Sequence, residues 1–135
     1  NMLEELAIMK KKTKIIGVSM LTNLDNHDLK RMGFSCGHKK FVENLVKIGV
    51  KAGVDGIVSS PEETKYLKNK YKSLIFVTPG IRLPKNKKND QKRIESPRFA
   101  IKAGSNILVI GRPITKSKDP VNAIQEIVKN IEYGK

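Results

Sequence analysis

Leu74-Ile75-Phe76-Val77-Thr78-Pro79-Gly80-Ile81-Arg82 is the stretch that fixes the frame of this chain. Four apolar residues run into Thr78 without alternation and stop at Pro-Gly. A strand with one wet face alternates polar and apolar residues. A continuous β-branched and aromatic run is the pattern of a strand covered on both faces of a parallel sheet. Three further runs share it: KIIGVSM at residues 14–20, GIVS at 56–59 and ILVI at 107–110.

Helical stretches separate these runs. Residues 39–52 bring Phe41, Val42, Leu45, Val46, Ile48 and Gly49 near one stripe. Ser60-Pro61-Glu62-Glu63 has Ser as N-cap, Pro at the first helical position and acids in the first turn. Ser96-Pro97 and Asp119-Pro120 repeat that start, the latter before Val121, Ile124, Ile127, Val128 and Ile131 at helical spacing. Residues 1–9 read as the end of a further helix. The predicted order is one helix, then four strand–helix pairs. Such alternation implies an α/β domain with a parallel sheet and right-handed crossovers. Lys51-Ala52-Gly53 leads into the second run and Lys102-Ala103-Gly104 into the fourth, 51 residues later. Each Gly fits a left-handed helix cap turning directly into a strand. The echo suggests repeated βα units, as in a barrel.

The 135 residues suit a single domain, 1–135, but are too few for a complete (β/α)8 barrel of roughly 200 residues or more. The single cysteine, Cys36, excludes a disulfide framework and a cysteine-based zinc site. His27 and His38 lack partners at ligand spacing, so no metal is expected. No apolar run approaches the roughly 20 residues that cross a bilayer, and no leader pattern opens the chain, which makes the cytoplasm the expected location. Asn1 ahead of Met2, within a helix end, points to a sequence cut from a longer ancestor.

The formal net charge is +14, from 27 Lys and Arg against 13 Asp and Glu. It favours anionic ligands by long-range attraction. Only Arg31, Arg82, Arg93, Arg98 and Arg112 are arginines, whereas base-specific readers rely on Arg for bidentate contacts. The sparse aromatics do not interleave with the basic clusters. Composition therefore argues against nucleic acid as the main partner and leaves it as an alternative. A phosphorylated small molecule or an acidic partner accounts for the charge equally well.

The chemistry-bearing residues gather at the ends of the runs. Gly111-Arg112-Pro113 follows the fourth. A glycine there lets backbone approach an anion, and Arg112 adds a planar fork suited to phosphate. The bland alternative is a tight turn with a solvated Arg. Arg82 follows the third run in the same way, either as a second basic wall or as part of an ordinary Pro-Gly turn. Residues 80–93 (GIRLPKNKKNDQKR) form a long basic loop, of a length that is commonly functional or disordered. Gln91 within it is either a ligand-binding amide or part of a solvated charge run. Thr22 ends the first run, with a hydroxyl suited to a ligand or to a plain turn. No GxGxxG, Walker A or GxSxG pattern is present.

Taken together, TPGIR at 78–82, DQKR at 90–93 and IGRPI at 110–114 resemble the carboxyl-terminal half of the orotidine 5′-monophosphate decarboxylase family. Residues 17–22 and 52–61 resemble that family's fifth and sixth strands. The resemblance implies half of a (β/α)8 TIM barrel, strands five to eight, with residues 80–93 as its phosphate-binding loop. It implies that Thr22 contacts the pyrimidine side of the nucleotide and that Arg82 lines the ligand site. It further implies that Gln91 bonds the phosphate and bridges toward the base, and that Gly111 and Arg112 hold the phosphate. The implied ligands are orotidine and uridine monophosphates, with no metal or cofactor. The family's catalytic Lys and its Asp-x-Lys-x-x-Asp set lie on strands two and three, one Asp crossing from a partner subunit. None of this is in the chain, so no catalytic residue is assigned. Asp28-Leu29-Lys30 and Asp90-Gln91-Lys92 sit elsewhere.

Half a barrel would leave its outer strands unpaired and its apolar interior open. An amino-terminal half-barrel chain, self-association of two copies, or decay to a marginally folded remnant are the three resolutions. The expected function is a decarboxylase-like protein, inactive alone; a non-catalytic nucleotide-phosphate binder is the alternative.

Overall fold

The computed structural model describes residues 2–83 and 95–132. Its elements are α1 (Met2–Met9), β1 (Ile16–Val18), α2 (Asn26–Arg31), α3 (His38–Lys51), β2 (Gly56–Val58), α4 (Pro61–Lys70), β3 (Ile75–Thr78), α5 (Pro97–Ala103), β4 (Ile107–Leu108), α6 (Arg112–Thr115) and α7 (Pro120–Glu132). The four strands form one parallel sheet in the order β1-β2-β3-β4. Each apolar run contains a strand, shorter than the run itself.

Helix starts follow the local signals. Ser60 caps α4, its side chain accepting from the Glu63 amide while the Glu63 carboxylate accepts from the Ser60 amide. Ser96 caps α5 through the Phe99 amide. Gly53 and Gly104 have φ of 84° and 103°, the left-handed conformation that lets each helix end turn straight into a strand.

Two helices were not in the predicted order. α2 has Leu29 as its only buried residue, so it shows no periodicity; it is set by a reciprocal cap between Asp25 and Asp28. α6 is four residues long and starts from Gly111.

The core lies between the sheet and the helices. Ile57 and Phe76 point from adjacent strands into a cluster with Met20, Leu29, Val42, Val46, Val54, Leu67 and Leu74. The opposite side of the sheet carries the register row Val18, Val58, Val77 and Ile107. At the outer strands this side is open: Val18 is 62% exposed, Ile107 52% and Val109 49%. Coverage of both strand faces, expected from the continuous apolar runs, therefore fails at β1 and β4. The predicted stripes are also covered only in part. Ile48 of α3 and Val121, Ile124 and Val128 of α7 are exposed, while Val42, Val46 and Ile127 are buried.

Below the sheet, Asp55 ties the chain leading into β1 to the start of β2. Its Oδ2 accepts from the Lys10 ammonium (2.7 Å) and from the Ile15 amide (2.8 Å), and Lys14 stands 3.6 Å from Oδ1. The Lys10 hydrogen bond first, then the Ile15 amide, hold the Asp55 carboxyl down to about 2.

Candidate active site

Parallel strands deliver the predicted residues to one end of the sheet. Thr78 and Leu108 are paired in register, and Arg82 and Arg112 each follow that pair by four residues. Thr22 likewise follows Val18 by four. All three leave the carboxyl ends of their strands, the end at which βα barrels build their sites. Neighbouring strands lie about 4.8 Å apart, so the β3 and β4 ends are close neighbours. Thr22, in the turn beyond the far edge strand β1, stands at the other side of the sheet.

Arg82 is 6% exposed and its Nη1 donates to the Ile81 carbonyl at 2.8 Å. It is reached through Gly80, whose φ of 78° turns the chain sharply off β3. The Arg82 amide then donates to the Glu95 carbonyl (3.0 Å), and the Glu95 amide to the Gly80 carbonyl (3.3 Å). These bonds clasp the two ends of the basic segment at the mouth of the sheet. Gln91 itself lies outside the described residues, as does most of the 80–93 loop.

Arg112 is half-buried and opens α6, and Gly111 before it is exposed. A Cβ built on Gly111 meets nothing within 4 Å, so open space lies over its backbone. Thr22 is buried, at 8% exposure, in the turn after β1. Thus β3 and β4 bring two arginines and an accessible glycine to adjoining strand ends. The Arg82 guanidinium there is buried with its Nη1 on the Ile81 carbonyl, while Arg112 is half-buried beside the exposed Gly111.

Sequence reasoning missed the hydroxyl chain beneath this end. Ser59 Oγ and Thr64 Oγ1 share a hydrogen bond of 2.8 Å, and Thr64 Oγ1 also donates to the Ser60 carbonyl at 3.0 Å. Thr64 and Thr78 hydroxyls are 3.4 Å apart, and Thr78 Oγ1 meets Ser105 Oγ at 2.7 Å. All four residues are buried. The chain links the residue after β2, α4, the end of β3 and the turn before β4, and so ties the carboxyl end of β3, from which Arg82 departs, to its neighbours. Thr78 inside an apolar run was the one available signal.

Two other features stand apart. Asp25, His27 and Asp28 bunch with ligand atoms within 4.8 Å, but both carboxylates accept backbone amides in the α2 cap. A depression of about 470 Å³ at the start of α3, lined by Asn26, Gly37, His38, Lys39, Lys40 and Glu43, contains none of the predicted site residues. No helix of the described residues is long and apolar enough to cross a membrane.

Comparison with known proteins bears on the family and the fold. The model of the orotidine 5′-phosphate decarboxylase / HUMPS family matches residues 1–127. The orotidine 5′-phosphate decarboxylase of Coxiella burnetii is 45% identical over 125 residues, which is 92% of this chain and 53% of that protein. That of Ehrlichia chaffeensis is 45% identical over 121 residues, 88% of this chain and 52% of the relative. The crystal structure of the enzyme from Lactobacillus acidophilus superposes with a TM-score of 0.71 at 30% identity, covering 91% of this chain and 51% of that one. The Metallosphaera sedula structure, at 18% identity and a TM-score of 0.68, supports the fold alone. The chain spans about half the length of the curated relatives it matches. With four parallel strands in sequential order, and with this similarity along nearly its whole length, it belongs to the orotidine 5′-phosphate decarboxylase / HUMPS family as a half-barrel.

Proposed function

We propose that this chain is the phosphate-binding half of an orotidine 5′-phosphate decarboxylase, unable to turn over substrate without the strands that carry the Lys and Asp set. Arg112 and the Gly111 backbone hold the phosphate of orotidine or uridine monophosphate, and Gln91 closes on it from the 80–93 loop. Arg82 lines the nucleotide beside them, and Thr22 meets its pyrimidine side. The observation that carries this reading is the placement of Arg82 and Arg112 four residues beyond one registered pair, Thr78 and Leu108, on adjoining strands.

The proposed division of labour follows from the chemistry. Gripping a remote phosphate supplies binding energy that can hold a loop closed and exclude water from the reacting carbon. Protonating the carbon that loses CO2 needs a general acid placed against it. This chain supplies the first and carries no assigned group for the second.

Mixing the chain with the unmatched half of the Coxiella burnetii relative and following the loss of orotidylate absorbance tests the reading. Turnover is expected only in the mixture and is abolished by Arg112→Ala. Turnover by the chain alone refutes the division of labour. Binding of uridine monophosphate with no turnover in any pairing leaves a nucleotide-phosphate binder instead.

A further inference from the structure

We propose that the amino-terminal end of the sheet, opposite the candidate active site, binds the phosphate backbone of duplex nucleic acid without regard to base sequence. The formal charge of +14 is not spread evenly over the molecule. Where helices turn into strands, at residues 10–15, 51–55, 68–74 and 102–106, there are nine lysines and a single acid, Asp55. The carboxyl end mixes its cations with Asp25, Asp28, Glu62, Glu63 and Glu95. The arginines divide in the same way. Among the described residues Arg31, Arg82, Arg98 and Arg112 all lie toward the carboxyl end, and the four turns at the amino end carry lysine alone. The phosphate grip proposed above therefore accounts for none of this charge.

Three of the nine lysines are spent inside the fold. Lys10 bonds Asp55 Oδ2 at 2.7 Å and the Gly53 carbonyl at 2.9 Å. Lys68 donates to the Lys72 and Leu74 carbonyls at 3.1 and 3.2 Å, and Lys70 pairs with Glu43 at 2.7 Å. The other six, Lys11, Lys12, Lys14, Lys51, Lys72 and Lys102, are exposed. Asp55 stands 3.6 Å from Lys14, and among the described residues no carboxylate lies within 4.0 Å of the remaining five. Lys51 and Lys102 close helices, where a cation is an ordinary partner of the helix dipole. Lys11, Lys12, Lys14 and Lys72 stand in turns, which that explanation does not reach.

Register sets the four turns side by side. Ile16, Gly56 and Ile75 form one row across β1, β2 and β3, and Val77 pairs with Ile107 of β4. With neighbouring strands about 4.8 Å apart, the row of turns spans about 14 Å. The rim is braced. The Asn106 side chain accepts from the Phe76 amide at 3.0 Å, and the Lys68 stem lies over Gly104, where a Cβ would stand 2.8 Å from its Cγ.

The chemistry of this rim selects the partner. Lysine is a point charge without the guanidinium fork; it neutralises phosphates and carries no base code. These turns expose no large apolar side chain: Ile15 is half-buried, and Val54 and Leu74 are buried. A protein interface is built around apolar anchors and is poor in lysine at its centre, so an acidic protein fits less well. Tyr71, the one aromatic residue of these turns, is half-buried, so the rim offers no platform for stacking single-stranded bases. A duplex backbone asks only for an array of cations.

Fluorescence anisotropy of the purified chain with two labelled 20-base-pair DNA duplexes of unrelated sequence tests the proposal. Equal affinity for both is expected, undiminished by excess uridine monophosphate. The triple variant Lys51→Gln, Lys72→Gln, Lys102→Gln should bind at least tenfold more weakly and lower the slope of log affinity against log salt by about 2–3. Lys30→Gln, Lys116→Gln, Lys118→Gln removes the same charge from exposed positions at the other end and should stay within twofold of the parent. Circular dichroism checks that both variants keep the fold. Equal loss in the two triples, displacement by uridine monophosphate, tighter binding of polyglutamate than of the duplex, or no binding at 50 mM salt would overturn the proposal. It rests on the charge distribution, so its failure leaves the proposed nucleotide site standing, and the reverse.

Discussion

Thr78→Val tests whether the buried hydroxyl chain organises the strand ends. Valine is close to threonine in shape, so no cavity opens, and the effect isolates the hydroxyl. Thr78 is fully buried, and its Oγ1 is 2.7 Å from Ser105 Oγ and 3.4 Å from Thr64 Oγ1. Thr64 retains Ser59 Oγ and the Ser60 carbonyl. Ser105, 7% exposed, loses the shorter of the two bonds. A buried polar group left without its partner costs about 1–3 kcal/mol, so Thr78→Val should destabilise by that amount. Ser105→Ala leaves Thr78 its longer contact to Thr64 and should cost about 1 kcal/mol, the lower end of that range. In the double variant both partners are apolar, and the total should fall short of the sum by about 1 kcal/mol. Urea unfolding of the four proteins, with slopes compared to confirm like transitions, measures the cycle. Additivity within about 0.5 kcal/mol would refute the coupling.

Other outcomes follow from single positions. Gly56 lies between Ile16 and Ile75 on the concave side, and a Cβ there would stand 2.4 Å from the Ile75 carbonyl oxygen, so Gly56→Ala should destabilise by about 1–3 kcal/mol in the same unfolding assay. Asp55, held down to about 2 from the ordinary 3.8, contributes stability that is fully present above about pH 4 and is lost as pH falls toward 2. Melting temperatures across pH 2–6 should show this acid loss, and Asp55→Asn should flatten it while lowering stability at pH 6.

Much of the fold was legible because its signals are local. Ser60-Pro61 and Ser96-Pro97 announce their helices within three residues, and Gly53 and Gly104 end theirs by the conformation only glycine adopts freely. The strand runs were visible through continuous apolarity. Their true lengths were not, because a strand ends where its neighbour stops pairing, and among the described residues β4 has a partner on one side only. α2 escaped notice because a reciprocal Asp25–Asp28 cap, not an apolar stripe, sets it. At the candidate site, the positions of Thr22, Arg82, Gly111 and Arg112 at strand ends could be read from motif and spacing. The hydroxyl chain could not, since Ser59, Thr64, Thr78 and Ser105 meet only when folding brings the end of β2, helix α4, the end of β3 and the turn before β4 together. The same holds for Asp55, whose partners Lys10 and Ile15 lie 45 and 40 residues away in sequence.

Titration calorimetry with uridine monophosphate, on the chain and on Arg112→Ala, is the most direct test of a phosphate grip built from the end of β4. One charge-assisted pair contributes about 1.5–3 kcal/mol, so the variant should bind about 10- to 150-fold more weakly, and uridine without the phosphate should bind neither protein measurably. Equal affinity of the two proteins for the nucleotide, or equal affinity of the chain for uridine and its monophosphate, would contradict the account.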